Sequence, residues 1–187
     1  MAVVSFNEVF DVILMTFAIG YIFMDVPFLR TRLGRSSWQR LKYAVIMTAP
    51  AVVLHELAHK FVGMASGLLT TFHASYMGLG LGVVLKLAQS PFLFFIPGYV
   101  SMSCPSPCVI GPLQQALTAV SGPLVNLGLW LGAAWLLHRK TYPFKTTLLL
   151  LVTKQINMIL FIFNMLPFPI FDGFKFYQGM FVWLFGG

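Results

Sequence analysis

Charge is what this chain has least of. Only 9% of its 187 residues are charged, against about 25% in an ordinary soluble domain, while 58% are hydrophobic. So little polar surface cannot cover a water-soluble fold of this size, so the bilayer is the expected solvent. Acid is the scarcer sign. The carboxylates are Glu8, Asp11, Asp25, Glu56 and Asp172, and three of them fall near the first apolar run. That leaves Glu56 and Asp172 alone in the rest of the chain, where an ionisable group in apolar surroundings is a functional candidate. Cysteine is nearly absent too. Cys104 and Cys108, in Cys104-Pro105-Ser106-Pro107-Cys108, exclude a zinc ribbon, which needs a second pair. They fit a proline-rich turn, a disulfide or a regulatory thiol pair, and do not define the redox compartment. A basic n-region and a small-residue cleavage site are also missing from the N-terminus, so no removable signal peptide is expected. No internal repeat or disordered segment stands out.

The net charge of +7 comes mostly from two short connectors, with Arg30, Arg32, Arg35, Arg40 and Lys42 in one and Arg139, Lys140 and Lys145 in the other. Basic clusters beside apolar spans meet lipid headgroups and set topology. They are not gathered on an aromatic-bearing soluble face, so nucleic acid is not an expected partner.

The length suits a single domain over 1–187. The expected class is an all-α integral membrane protein with about four transmembrane helices, over 9–29, 42–65, 113–137 and 146–166. Pro50 should kink the second helix, which bilayer surroundings tolerate. The stretch 68–111 is harder to place. Gly78, Gly80 and Gly82 alternate with Leu79, Leu81 and Val83, and Val83-Val84-Leu85 favours strand. Glycine at period two weakens a helix. This region reads as a membrane-embedded β-hairpin or re-entrant segment, with a broken transmembrane helix as the alternative. The aromatic tail 174–187 reads as an interfacial helix.

The motif that carries chemistry is His55-Glu56-Leu57-Ala58-His59. Histidines four apart project from one helical face, a spacing that suits one zinc ion, with Glu56 as a general base toward water. A catalytic zinc generally takes a third protein ligand. His73, His138, the cysteines and Asp172 are the candidates. Asp172 suits best, because Pro167 and Pro169 before it and Gly173 after it let the chain turn a carboxylate inward. His73 reads as a structural histidine, His138 as a partner for helix-end carbonyls or headgroups, and Lys60 as a side chain pointing away from both motif histidines.

Three separated motifs now stand together: His55 to His59, Gly122-Pro123-Leu124-Val125-Asn126, and Asn164 through Gly173. In order and spacing they resemble the HExxH, GPxxN and NxxPxxxxDG elements of the site-2 protease family of intramembrane zinc metalloproteases, in its compact prokaryotic form. The resemblance implies one zinc per chain held by His55, His59 and Asp172, with Glu56 as the base. It also implies a role for Asn126 near the reacting carbonyl, as an oxyanion or substrate-positioning donor; an interhelical hydrogen bond is the plainer reading of Asn126. Asn164 is expected to brace the broken helix end. The family's accessory domains have no counterpart at this length, so substrate selection falls to the membrane core or a partner.

The expected substrate is a transmembrane segment of another membrane protein, unwound so that its amides become available. The glycine-spaced segment 78–86 would then pair with it as an added strand. Two other classes fit some of the same residues: a catalytically inactive zinc-binding scaffold, and a zinc transport protein. Orientation is contested, because the positive-inside rule puts the basic connectors in the cytoplasm and the metal nearer the outside, whereas the family resemblance implies a site closer to the cytosolic face.

Overall fold

Ser5 starts the first helix. Its hydroxyl accepts from the backbone N–H of Glu8, and the Glu8 carboxylate accepts in return from the Ser5 N–H at 2.8 Å, a reciprocal capping box. In the computed structural model, which describes residues 4–27, 30, 36–90, 95–104 and 109–186, eight elements follow one another. They are α1 (Phe6–Phe23), α2 (Ser37–Ala65), β1 (Leu69–Ala74), α3 (Tyr76–Leu87), β2 (Gly98–Ser103), α4 (Pro112–Arg139), α5 (Phe144–Asn164) and α6 (Asp172–Phe185). The fold is mostly helical with a small two-stranded sheet. Helices α1, α2, α4 and α5 are long and apolar enough to cross a membrane.

Several expected boundaries move, each for a local reason. Helix α1 begins at Phe6 rather than 9 because of the Ser5 cap, and ends at Phe23. Pro27 lies just beyond, and it disfavours helical backbone at the residue before it. Helix α2 begins at Ser37, with the Ser36 hydroxyl accepting from the Gln39 N–H, so part of the basic connector is helical. Positions 28, 29 and 31–35 of the expected first helix and connector lie outside the described residues, as do 91–94, 105–108 and 187, and with them Cys108. Cys104 is disulfide-bonded.

The main correction concerns 68–111. Strands β1 and β2 do pair, but the glycine-spaced run between them is helix α3. Ser75 caps that helix by accepting from the Gly78 N–H at 3.2 Å. Gly78 and Gly82 fall one helical turn apart and are both buried. A Cβ at 78 would collide with the Ile96 carbonyl oxygen, and one at 82 would come within 2.8 Å of Ile22 and 3.0 Å of Phe95. The glycines therefore serve close helix packing, and the run 78–86 is not a strand available for an added partner. Pairings of Ser101 with Thr71, Ser103 with Leu69 and Pro97 with Ser75 run in opposite directions along the chain, so the strands are antiparallel.

Residue contacts divide the chain into two compact units, Met1–Val53 with Phe72–Tyr99, and Leu54–Thr71 with Val100–Gly187. In the first, Gly20 lets α1 approach Val45 of α2, and Met15 and Ile19 are fully buried. Glu8 and Asp11, both buried, face β1: Glu8 accepts from the Phe72 N–H at 2.8 Å and Asp11 from the Ala74 N–H at 3.0 Å. Tyr76 donates its hydroxyl to the other Asp11 oxygen. Asp25 ties the far ends together, pairing with Arg40 at 3.3 Å and Lys86 at 3.0 Å. In the second unit α4 is the central element against α5 and α6. Gly179 of α6 sits where a Cβ would meet the Pro112 carbonyl at 2.6 Å and Ala116 at 3.0 Å.

Candidate metal centre

The second unit brings together three side chains from two helices. His55 and His59 are buried on α2, their rings edge to face with centroids 4.7 Å apart. Asp172 opens α6. The two imidazole Nε2 atoms are 3.1 Å apart, and each is 3.2 Å from Asp172 Oδ2. Among the described residues these three form the grouping of side chains able to hold a metal ion. His73 is instead placed on β1, its ring 5.4 Å from that of Tyr99, and His138 lies in the last turn of α4.

The remaining ring nitrogens decide what these atoms can do. His59 Nδ1 is 2.7 Å from the Thr118 carbonyl oxygen, which can only accept, so Nδ1 carries the proton. His55 Nδ1 is 2.6 Å from Asn126 Oδ1. That amide is oriented by its far side, where Asn126 Nδ2 donates to Asn157 Oδ1 at 2.8 Å and Asn157 Nδ2 donates to the Thr153 carbonyl at 2.8 Å. Read back from Thr153, the series makes Asn126 Oδ1 the acceptor and His55 Nδ1 the donor. Both Nε2 atoms then present lone pairs, and the third member is a carboxylate oxygen. Three acceptors converge where only a cation can satisfy them. A proton can serve two of the three; a metal ion serves all.

The spacing fits. Bonds of about 2.0–2.1 Å at tetrahedral angles put ligand atoms about 3.4 Å apart, close to the observed separations. Ligation takes Asp172 as the carboxylate, its Oδ2 the third atom of the set at 3.2 Å from each ring nitrogen.

Backbone shape makes room for the cluster. A Cβ on Gly122 would strike His59 Nε2 and come within 2.8 Å of His55 Nε2, on the side where the lone pairs meet. The bare glycine backbone is the floor of the centre. One residue on, buried Pro123 removes an N–H from α4 and loosens the turn, the same turn whose Thr118 carbonyl holds His59 and accepts from Ser121 Oγ at 2.7 Å. Gly173 has a comparable task. Its Cβ would lie 2.6 Å from the Met165 carbonyl carbon and 2.9 Å from the Asn164 oxygen, so glycine lets α6 begin flush against the end of α5. Tyr177 adds a hydroxyl bond to the Met165 carbonyl at 3.0 Å.

The expected site residues His55, His59 and Asp172 are thus assembled, and buried Glu56 lies beside His55 on α2. Asn126 is fully buried, its oxygen against His55 and its amide nitrogen on Asn157. Asn164 ends α5, with its backbone against Gly173. Sequence reasoning overlooked Asn157 and Thr118. Asn157 did leave a signal, as an amide in the apolar run of α5. Thr118 left none, because it acts through its backbone.

No family model matches the chain, and no solved structure does. A curated protein of Methanocaldococcus jannaschii, whose name reads "Putative zinc metalloprotease", is 31% identical over 175 residues, covering 91% of this chain and 83% of that protein. With that identity sustained along nearly the whole of both proteins, the chain belongs to the zinc metalloprotease family of this relative.

Proposed function

We propose that the chain is an intramembrane zinc metalloprotease of the site-2 type, a single multi-pass membrane domain that hydrolyses peptide bonds in transmembrane segments of membrane protein substrates. The observation that carries this reading is the convergence of two imidazole lone pairs and one carboxylate within 3.2 Å, with Glu56 beside them on a helix apolar enough to span a bilayer. Large apolar side chains cover the outer faces of the long helices, among them Phe10 and Phe17 on α1, Leu131 on α4 and Ile159 on α5. Such a surface fits lipid and not water. Lys42 over Trp38 at 5.0 Å and Arg139 over Trp135 at 5.4 Å put basic–aromatic pairs near helix ends, as expected at a membrane–water boundary.

In this reading His55, His59 and Asp172 hold one zinc ion, which supplies Lewis acidity toward a peptide carbonyl and toward water. Glu56 takes a proton from the attacking water and returns it to the departing amide nitrogen. Thr118 and Asn126 hold the imidazoles in the tautomer that leaves Nε2 bare. A spanning substrate hides its amides in its own helix, so it reaches Glu56 as an unwound segment.

Metal content of the purified chain, measured with cleavage of a single-span reporter, tests the proposal. Chelation should abolish cleavage and zinc should restore it. Glu56→Gln should keep the metal while losing about 10²–10⁴-fold in rate. Normal cleavage by Glu56→Gln would falsify the mechanism. A zinc-replete chain that cleaves no spanning segment would favour a scaffold, and zinc flux into sealed vesicles would favour transport.

A further inference from the structure

We propose that Asn157 is a positioning residue for the metal, acting on His55 through the Asn126 amide. The inference rests on the zinc reading above and extends it to a residue on a third helix, α5, that touches none of the ligands.

Asn126 and Asn157 have relative exposures of 0% and 1%, and Asn157 is the buried residue of α5. A primary amide in such surroundings is retained only where its hydrogen bonds are made. Here they are made in series and with one polarity: Asn157 Nδ2 to the Thr153 carbonyl at 2.8 Å, Asn126 Nδ2 to Asn157 Oδ1 at 2.8 Å, and His55 Nδ1 to Asn126 Oδ1 at 2.6 Å. The Thr153 carbonyl lies one helical turn before Asn157 and belongs to the α5 backbone, so it cannot exchange its role as acceptor. It sets the Asn157 amide, which sets the Asn126 amide, which sets the proton on His55.

An amide side chain is nearly symmetric in shape, so nothing in its outline stops Asn126 from turning over. Turned, it presents Nδ2 to His55. The ring would then have to accept at Nδ1 and carry its proton on Nε2, the atom that faces His59 and Asp172. A protonated Nε2 cannot ligate. Asn157 Oδ1 prevents this, because it requires a donor from Asn126. His59 needs no such guard, since its Nδ1 partner is a backbone carbonyl. The same geometry turns the Asn126 nitrogen toward Asn157, so Asn126 serves as a ligand-orienting acceptor in place of the oxyanion donor anticipated from the motif.

The test is zinc affinity of the full chain in detergent, read by competition with a chromophoric chelator. Asn157→Leu should fold, since it replaces an amide by an apolar group of similar volume, and should bind zinc about ten- to hundredfold more weakly. Asn157→Ala serves with the same expectation if the leucine variant does not fold. Asn126→Asp supplies the control that a packing role would not reproduce. A carboxylate accepts through either oxygen, so it needs no orienting partner, and Asn157→Leu added to Asn126→Asp should change affinity less than about threefold. Equal affinity of wild type and both Asn157 variants would overturn the proposal, as would the full loss persisting in the Asn126→Asp background. If wild type itself bound no zinc, the zinc reading would fail instead.

Discussion

Carboxylates withdrawn from solvent occur in both units of the molecule, buried for Glu8 and Asp11 and half-buried for Asp172, and they keep opposite company. Glu8 and Asp11 face donors: the amides of Ser5, Phe72 and Ala74 and the hydroxyl of Tyr76. Asp172 faces two imidazole nitrogens whose protons sit on the far side of each ring. The first arrangement is complete as it stands and holds a helix to a strand. The second is a set of acceptors without a donor. Burial of an acid therefore does not by itself distinguish a brace from a reactive centre; the polarity of its partners does. The phenol of Tyr76 shows the contrast again, pushed up by donating to Asp11 and needing nothing more.

Substitutions can break that comparison at different points. The largest effect belongs to Asp172→Asn, which should lower zinc affinity by at least about a hundredfold without loss of fold, measured by metal analysis after dialysis. Retained stoichiometric zinc would show that the carboxylate is not a ligand. Gly122→Ala comes next. Its methyl must push imidazoles already tethered at Nδ1, so affinity should fall about ten- to hundredfold, and an unchanged affinity would place the metal away from that backbone. On the structural side, Glu8→Gln turns an amide donor toward a backbone N–H that can only donate, and Asp11→Ala removes the acceptors of the Ala74 N–H and the Tyr76 hydroxyl. Each should cost about 1–3 kcal/mol of stability and leave the zinc content of the folded protein untouched. Loss of zinc without loss of thermal stability would erase the distinction drawn here. The smallest effect is expected from Asp25→Asn. Its two ion pairs are partly exposed, so the change should stay within about 1 kcal/mol and shrink with added salt.

Much of the centre could be read from the chain because its elements are local. Histidines four apart on an apolar helix declare a shared face, and the proline-flanked Asp172-Gly173 declares a turn into a new helix. The four long helices were visible for the same reason, as runs of apolar residues. What escaped was either non-local or two-faced. Asn126 and Asn157 are joined across 31 residues, which no spacing rule reports. Gly78, Gly80 and Gly82 carry a period of two, yet Gly78 and Gly82 also carry a period of four, and contact with Ile22, Phe95 and Ile96 decided for helix. The Ser5–Glu8 box is an S-x-x-E pattern that the expectation of a first helix from residue 9 passed over, and it explains why α1 begins before its apolar run.

The grip of α1 on β1 has one more consequence. Phe72 and Ala74 give their amides to Glu8 and Asp11, so at these positions a helix occupies the place that a third strand would take. A polypeptide that lengthens the sheet along this border must first take those two amides from the carboxylates. Seating of α1 and growth of the sheet there exclude one another.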